Sequence, residues 1–265
     1  MALGKSNGKT SVAIVYNDIA NPFVEVIVFK DNVFDSASYL DLDSSQIENG
    51  MPQNESFFAE NLKDMLPKGT KEVSLLINCS SDFSTINTYS SSVFRGRIRK
   101  FVETELKEHF SAARNKYLIY TEEFKNSVEY IVYTNFVSGH IRTFFMKVAK
   151  MLGIRVNKVD SYPRFIKNCV AKEFNGEDFV YVYFNHSIAT IICSYSNNLS
   201  GYETITNDPE LLDNAIFLLE GKHVYELEKI KVSAPYTNII NLDGVILDME
   251  DKPITLDITK VTPLR

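Results

Sequence analysis

The sequence predicts an α/β protein with an internally duplicated fold, in which each of two lobes begins with a β-meander. The first meander consists of three runs rich in β-branched and aromatic residues, at 12–16, 23–29 and 33–40. A second series of three such runs follows a turn and occupies 179–184, 188–195 and 201–206. Helix and strand patterns alternate only between these meanders. A doubly wound sheet would alternate strands and helices from the start of the chain, so this order favours an internally duplicated fold.

The segment between the meanders carries hydrophobic patterns of both kinds. Helical spacing predicts helices over 57–66, 93–110, 139–152 and 162–172. Apolar runs predict strands over 73–77, 117–124, 128–136 and 154–159. Ser138 is placed to cap the third helix and Gly153 to end it. The Ser- and Thr-rich stretch 80–92 is interpreted as a flexible surface loop, a further helix is expected over 208–219, and 224–265 is interpreted as β-rich.

These patterns divide the chain into a tail and two lobes. Residues 1–10 are short of large apolar side chains and are expected to form a disordered tail. Residues 11–172 are expected to form the first lobe, with an inserted α/β subdomain at about 70–160. Residues 173–265 are expected to form a truncated second lobe. A chain of 265 residues is long enough for two small lobes.

The composition argues against several classes of function. A net charge of −6 disfavours non-specific binding along the phosphate backbone of nucleic acid. The three cysteines are odd in number and far apart, which indicates buried thiols in a reducing compartment. No apolar run approaches the ~20 residues that span a bilayer, and the N-terminus lacks the apolar core of a signal peptide. We therefore expect a cytoplasmic protein that binds no nucleic acid.

The spacing of several segments between 73 and 160 suggests a family. The segments are the strands at 73–78 and 128–133, the helix end at 101–106, and 147–156, where a helix ends at Gly153 and a strand leads to Asp160. This pattern resembles PilM, the actin-like protein of type IV pilus assembly, and GspL, its type II secretion counterpart. The resemblance implies an actin-like (ribonuclease H-like) fold, whose second lobe starts with the second meander.

The same resemblance implies a function. A protein of this kind is a scaffold or adaptor at the inner face of the cell membrane, peripheral to it, that captures the cytoplasmic tail of an inner-membrane partner in a groove. It couples that partner to an assembly ATPase. A peptide held in an extended or helical form would suit such a groove.

The turns that hold nucleotide phosphates in actin-like ATPases differ here from the family pattern. Each family turn is of the Asp-x-Gly type, because glycine lets the backbone approach phosphate and Asp organises a metal ion or water. The first turn here begins Asn17-Asp18 and has no glycine, and the second, Asn185-His186-Ser187, has neither residue. The resemblance therefore implies an eroded nucleotide site, with no catalytic residue, no metal and no cofactor.

Two other functions remain open. The chain could be an active actin-like ATPase or small-molecule kinase that binds ATP-Mg, which would require intact phosphate turns. It could also be an interaction protein of an unrelated α/β fold, in which the two meanders would not be equivalent.

Individual candidate residues also have two interpretations. Asp18 could bind a metal, but Asp favours turns by local hydrogen bonding. His186 could act as a base, but it lies between Asn185 and Ser187 in a hairpin turn. The turn interpretation is preferred for both. The only basic cluster, which could contact lipid headgroups or an acidic peptide, consists of Arg95, Arg97, Arg99 and Lys100. Its simpler interpretation is a solvated helix face.

Overall fold

The computed structural model of the chain describes residues 10–19, 21–31, 33–90, 97, 100–102, 104, 116–125, 129–170, 179–185, 188–195, 197–206, 246–247 and 253–254. Its strands are β1 (Thr10–Asn17), β2 (Phe23–Lys30), β3 (Val33–Asp41), β4 (Ile47–Glu48), β5 (Met51–Pro52), β6 (Glu72–Asn78), β7 (Phe83–Ser90), β8 (Tyr117–Lys125), β9 (Glu129–Ser138), β10 (Arg155–Ser161), β11 (Phe179–Asn185), β12 (Ile188–Tyr195), β13 (Asn198–Thr206), β14 (Ile246–Leu247) and β15 (Pro253–Ile254). The helices are α1 (Glu55–Met65), α2 (Gly139–Met151) and α3 (Tyr162–Val170).

A mixed five-stranded sheet in the order β10-β6-β1-β2-β3 organises the first lobe. Strands β1, β2 and β3 pair antiparallel, which confirms the first predicted meander, and β6 and β10 run parallel to β1. Residues 12–17 of β1 and 23–29 of β2 are all buried. Such continuous burial requires layers on both faces of the sheet.

Alternate side chains of β1 enter two separate cores. Val12, Ile14 and Tyr16 pack in the core that contains α1 and α2, where the Tyr16 and Phe145 rings lie 5.4 Å apart. Ala13 and Val15 face the other core, which contains α3 and side chains of β12 and β13. Helix α3 therefore lies between the main sheet and the sheet of the second lobe.

Local sequence signals explain how α2 begins and ends. The Ile141 N–H donates to the Ser138 hydroxyl at 3.5 Å, and Gly153 has a φ of 68°, so both predicted caps are confirmed. Helix α1 is capped in the same way by Asn54, whose side chain accepts from the Phe57 N–H at 3.2 Å.

A second small sheet, in the order β7-β9-β8, is inserted between β6 and β10. The prediction of a loop over 80–92 is wrong, because Phe83–Ser90 pairs antiparallel with β9 along its whole length. Apolar contacts stabilise this pairing, since the Phe83 and Phe136 rings stack at 4.4 Å. Strands β8 and β9 confirm two predicted strands. Of the predicted helix over 93–110, residues 97, 100–102 and 104 are helical, and the others lie outside the described residues.

The second lobe begins with an antiparallel sheet in the order β11-β12-β13, which confirms the second predicted meander. Its third strand begins at Asn198, three positions earlier than predicted, and a register shift lies near Ser194. The predicted helix over 208–219 lies outside the described residues, as does most of the tail at 224–265. Within that tail, β14 and β15 form a two-stranded pair.

Candidate functional site

Polar side chains collect where β1 and β6 end. Asp18 follows β1 directly, and Cys79, Ser80 and Asp82 follow β6. The two strands are parallel, so their carboxyl ends meet at one edge of the sheet, which is where open α/β sheets bind ligands. We call Asp18, Cys79, Ser80 and Asp82 the cleft cluster.

The Asp18 carboxylate is held by the protein itself. One oxygen, Oδ1, accepts the Ser80 backbone N–H at 2.5 Å, and the other, Oδ2, accepts the Cys79 thiol at 3.0 Å and the Ser80 hydroxyl at 3.2 Å. Burial nevertheless raises the pKa of Asp18, and these hydrogen bonds reverse only part of that rise. The carboxylate thus serves the local structure of the turn.

The hairpin between β4 and β5 closes over this carboxylate. Asn49 and Gly50 have φ values of 51° and 73°, as in a tight hairpin turn, and the Tyr16 hydroxyl donates to the Gly50 carbonyl at 3.1 Å. A Cβ atom added to Gly50 would lie 2.7 Å from Asp18 Oδ2, so only glycine allows this approach.

Asp82 is a partly buried carboxyl, and none of the described cations lies beside it. Its Oδ1 accepts the Ser138 N–H at 2.8 Å and its Oδ2 accepts the Cys79 N–H at 3.1 Å. Burial raises the pKa of Asp82 to about 7, with a further contribution from the charge of Asp18. Burial and the carboxylates of Asp18 and Asp82 also raise the pKa of the Cys79 thiol, which disfavours the reactive thiolate form.

A cavity of about 430 Å³ opens beside the cleft cluster. It lies between the end of β1, the start of β7 and strand β13 of the second lobe. Its lining consists of Ile19, Cys79, Ser80, Asp82, Phe83, Ser84, Tyr202 and Thr204. No lysine, arginine or histidine is among these lining residues.

Hydrogen bonds connect the two lobes across the inner end of this cleft. The Asn78 amide nitrogen donates to Asn17 Oδ1 at 2.8 Å and to the Thr204 hydroxyl at 3.2 Å. The Asn17 amide donates to the Ile19 carbonyl at 2.7 Å and so stabilises the turn after β1. Asn185 pairs with Ile188 at the hairpin end of β11 and β12, and His186 lies outside the described residues.

The predicted basic cluster lies elsewhere. Arg97 and Lys100 are exposed on the helical residues of the inserted unit, and neither lines the cavity, whereas Arg95 and Arg99 lie outside the described residues. The described part of the chain contains no group of three or more His, Cys, Asp or Glu side chains that could hold a metal ion.

A largely buried carboxylate, Glu122 on β8, joins three units. It accepts from Arg164 Nε at 2.8 Å, Lys167 Nζ at 3.2 Å and the Leu199 backbone N–H at 2.7 Å. Lys167, which is 3% exposed, also donates to the Asn197 carbonyl at 2.8 Å. We call Glu122, Arg164 and Lys167 the Glu122 junction, since it ties the inserted sheet to α3 and the second lobe.

Sequence reasoning missed the cleft residues after β6 and the whole Glu122 junction. The segment after β6 did carry a usable pattern, because polar residues directly after a buried parallel strand lie at the ligand-binding edge of such a sheet. Glu122 gave no comparable signal, since its partners on α3 are 42 and 45 positions away.

The chain has the actin-like α/β fold predicted from its sequence, with two meander-led lobes. The PilM-PilN type IV pilus biogenesis complex is similar over 80% of this chain and 65% of that chain, with a TM-score of 0.54 and 9% identity. The cytoplasmic domain of EpsL, an inner-membrane component of the type II secretion system of Vibrio cholerae, is similar over 78% of this chain and 74% of that chain, with a TM-score of 0.52 and 9% identity. The chain thus spans less than two thirds of the matched PilM-PilN chain.

No protein-family model and no curated protein sequence matches the chain. No helix among the described residues is long and apolar enough to cross a membrane.

Proposed function

We propose that this chain is a non-catalytic cytoplasmic scaffold of a type IV pilus or type II secretion-like assembly. In this role it lies at the inner face of the cell membrane, binds the cytoplasmic tail of an inner-membrane partner and couples that partner to an assembly ATPase. The fold shared with a PilM-PilN complex and with a cytoplasmic domain of an inner-membrane secretion component supports this role.

The engagement of Asp18 carries the non-catalytic part of the proposal. In a phosphate turn, the carboxylate and backbone N–H groups must be available to a metal ion and to phosphate oxygens. Here the Asp18 oxygens accept from Ser80 and Cys79, so the Ser80 N–H is already used by a carboxylate. Among its described lining residues, the adjacent cavity has the acidic Asp82 and no cation for a phosphate. These residues do not fit an ATP-Mg complex, and we assign no cofactor.

Calorimetry with ATP and with ADP, each with magnesium, tests this part directly. We expect no saturable binding up to millimolar nucleotide. Saturable binding at micromolar concentration would contradict the proposal and favour the active ATPase or small-molecule kinase. Asp18→Asn is the informative variant, because binding in the cleft would respond to this change and binding elsewhere would not.

The scaffold part is tested with peptides. Synthetic cytoplasmic tails of the inner-membrane pilus and secretion proteins from the source organism would be titrated against the purified chain by fluorescence anisotropy. We expect one tail to bind at micromolar concentration. The double variant Arg97→Glu with Lys100→Glu then tests whether the basic cluster contributes to that contact. Failure of every tail to bind the folded chain would contradict the scaffold role.

A further inference from the structure

The cavity beside the cleft cluster has an unusual combination of wall groups. Its lining includes the acidic residue Asp82, the aromatic residues Phe83 and Tyr202, and the hydroxyl residues Ser84 and Thr204. Since no cation is among the described residues that line the cavity, an anionic group placed there would lie beside a carboxyl without a compensating charge from them. The walls instead suit a ligand group that is cationic, flat and able to donate several hydrogen bonds.

The carboxyl of Asp82 has hydrogen-bonding capacity left for such a group. Each of its oxygens accepts one backbone N–H, from Ser138 and from Cys79, and a carboxylate oxygen can accept two hydrogen bonds. A guanidinium can bind both oxygens of a carboxylate with two parallel N–H groups. The same planar group also stacks on aromatic faces, as Arg164 does elsewhere in this chain, with its guanidinium carbon 5.1 Å from the centre of the Tyr120 ring.

An unsatisfied polar side chain lies opposite Ser84, one of the residues that line the cavity. Asn135 is 1% exposed, and neither its amide nitrogen nor its amide oxygen has a hydrogen-bond partner among the described residues. It lies directly opposite Ser84 in the β7–β9 ladder, so both side chains project from the same face of the inserted sheet. Buried amides are normally paired, so Asn135 retains unused hydrogen-bonding capacity on the face of the inserted sheet that carries Ser84.

We propose that this cavity receives an arginine side chain from the partner's cytoplasmic tail, with its guanidinium on Asp82 and its flat face against Tyr202 or Phe83. This inference rests on the proposed function and specifies which chemistry the tail presents. Cytoplasmic segments close to a membrane span carry an excess of lysine and arginine, so a tail of this kind supplies such a side chain. Arginine is preferred over lysine because only its planar fork matches both the carboxylate and the rings.

The probe pair for the test is N-acetyl-arginine methylamide and N-acetyl-citrulline methylamide, which have nearly the same shape and differ in charge. Both would be titrated against the full chain by NMR. We expect the arginine probe to bind at least about tenfold more tightly than the citrulline probe, with shifts at the cavity residues, because a charge-assisted bidentate pair contributes about that much. Equal affinity of the two probes, or shifts confined to other surfaces, would overturn the inference.

Three variants locate the site. Asp82→Asn should weaken arginine binding about tenfold, and Asp64→Asn, an exposed control on α1, should leave it unchanged. Because Asp82 also accepts two backbone N–H groups, its variant could lose stability. Ser84→Arg avoids that problem, since Ser84 is exposed at the cavity mouth and the new side chain would occupy the cavity and abolish probe binding. Undiminished binding to a folded Ser84→Arg variant would overturn the inference.

The tail peptides separate this inference from the scaffold role. If a tail binds and both Ser84→Arg and an arginine-to-citrulline change in the tail weaken it at least about tenfold, the inference is supported. If a tail binds and neither change affects it, the inference is wrong while the scaffold role stands. If the arginine probe binds in the cavity and no tail binds, the cavity chemistry is supported and the scaffold role is contradicted.

Discussion

The cleft cluster and the Glu122 junction both place carboxyl groups between the lobes, yet their surroundings are opposite. Among the described residues, Asp82 has only backbone N–H partners, and burial raises its pKa to about 7. Burial alone would also raise the pKa of Glu122, but Lys167, the Leu199 N–H and Arg164 outweigh it and lower that pKa. Whether a cation is built into the site therefore decides whether a buried carboxyl is a fixed structural charge or a group that titrates near neutral pH.

The cations beside Glu122, and their absence from the described surroundings of Asp82, give the two regions different structural roles. The Glu122 junction is complete without a ligand, because the carboxylate and the buried Lys167 satisfy each other. The cleft cluster has no such counter-ion within its described surroundings, and it borders a cavity. The Glu122 junction connects the inserted sheet, α3 and the second lobe. The cleft cluster instead leaves the Asp82 carboxyl with capacity to bind a ligand.

The largest expected effect comes from removing the charge at the junction. Glu122→Gln would leave the buried Lys167 without its ion-pair partner, and breaking a buried ion pair in this way costs about 3–5 kcal/mol. Chemical denaturation measures the loss as a lower free energy of unfolding. Glu60→Gln, an exposed change on α1, is the control and should stay within about 0.5 kcal/mol of the parent chain. A similar loss in both variants would show that the junction is not a coupled buried pair.

The second prediction concerns the pH dependence that Asp82 imposes. Its pKa is raised from 3.8 to about 7, so its contribution to stability is complete below pH 3.8 and is lost as the pH rises through 7. At about 1.4 kcal/mol per pKa unit, the loss by pH 8 is at most about 4 kcal/mol. Among the described residues, the other titratable groups that interact with this carboxyl are Asp18, Cys79, Tyr117 and Tyr120.

Denaturation of the parent chain and of Asp82→Asn at pH 5 and pH 8 measures this contribution. The parent should lose more stability than the variant between those two values. Glu122 acts in the opposite direction, because its lowered pKa gives stability that is present above 4.5 and disappears only in more acidic solution. Identical pH profiles for the parent and Asp82→Asn would refute the assignment of the raised pKa to Asp82.

The third prediction tests the contact between Gly50 and Asp18. Gly50→Ala combines a positive φ with a Cβ atom only 2.7 Å from the carboxylate, and we expect a loss of about 2–3 kcal/mol. Gly69→Ala is a matched control, since Gly69 has a φ of 83° and no atom within 4 Å of its added Cβ. That variant should lose only about 1 kcal/mol in free energy of unfolding, which is the cost of placing a residue with a Cβ atom at positive φ. Equal losses would mean that the cleft cluster can move away from the hairpin at no cost.

The strands and helix caps could be predicted from the sequence because their signals are local. The apolar runs at 12–16 and 179–184 predict strands without information from other segments. Ser138 and Gly153 cap α2 through contacts within one turn of the helix. Strand β7 was missed because its serines and threonines are typical of a loop. The contact that stabilises it as a strand, between Phe83 and Phe136 on β9, is non-local. The contacts of Asp82 and Glu122 depend on the register of distant strands, which no pattern within a short window specifies.

The smallest effects compare two tyrosine hydroxyls, one in each region. Tyr16 donates to the Gly50 carbonyl at 3.1 Å and Tyr120 donates to the Val159 carbonyl at 2.5 Å, so each change to phenylalanine removes one hydrogen bond and should cost about 1 kcal/mol. Of the two tyrosines, only Tyr16 bonds to the β4–β5 hairpin that closes over the Asp18 carboxylate. The double variant Gly50→Ala with Tyr16→Phe should therefore lose less free energy of unfolding than the sum of the two single losses, because the displaced turn has already lost that hydrogen bond. The losses of Gly50→Ala and Tyr120→Phe should be additive. Additive losses for both pairs, measured by double-mutant cycles, would show that the hairpin and the cleft cluster are independent of each other.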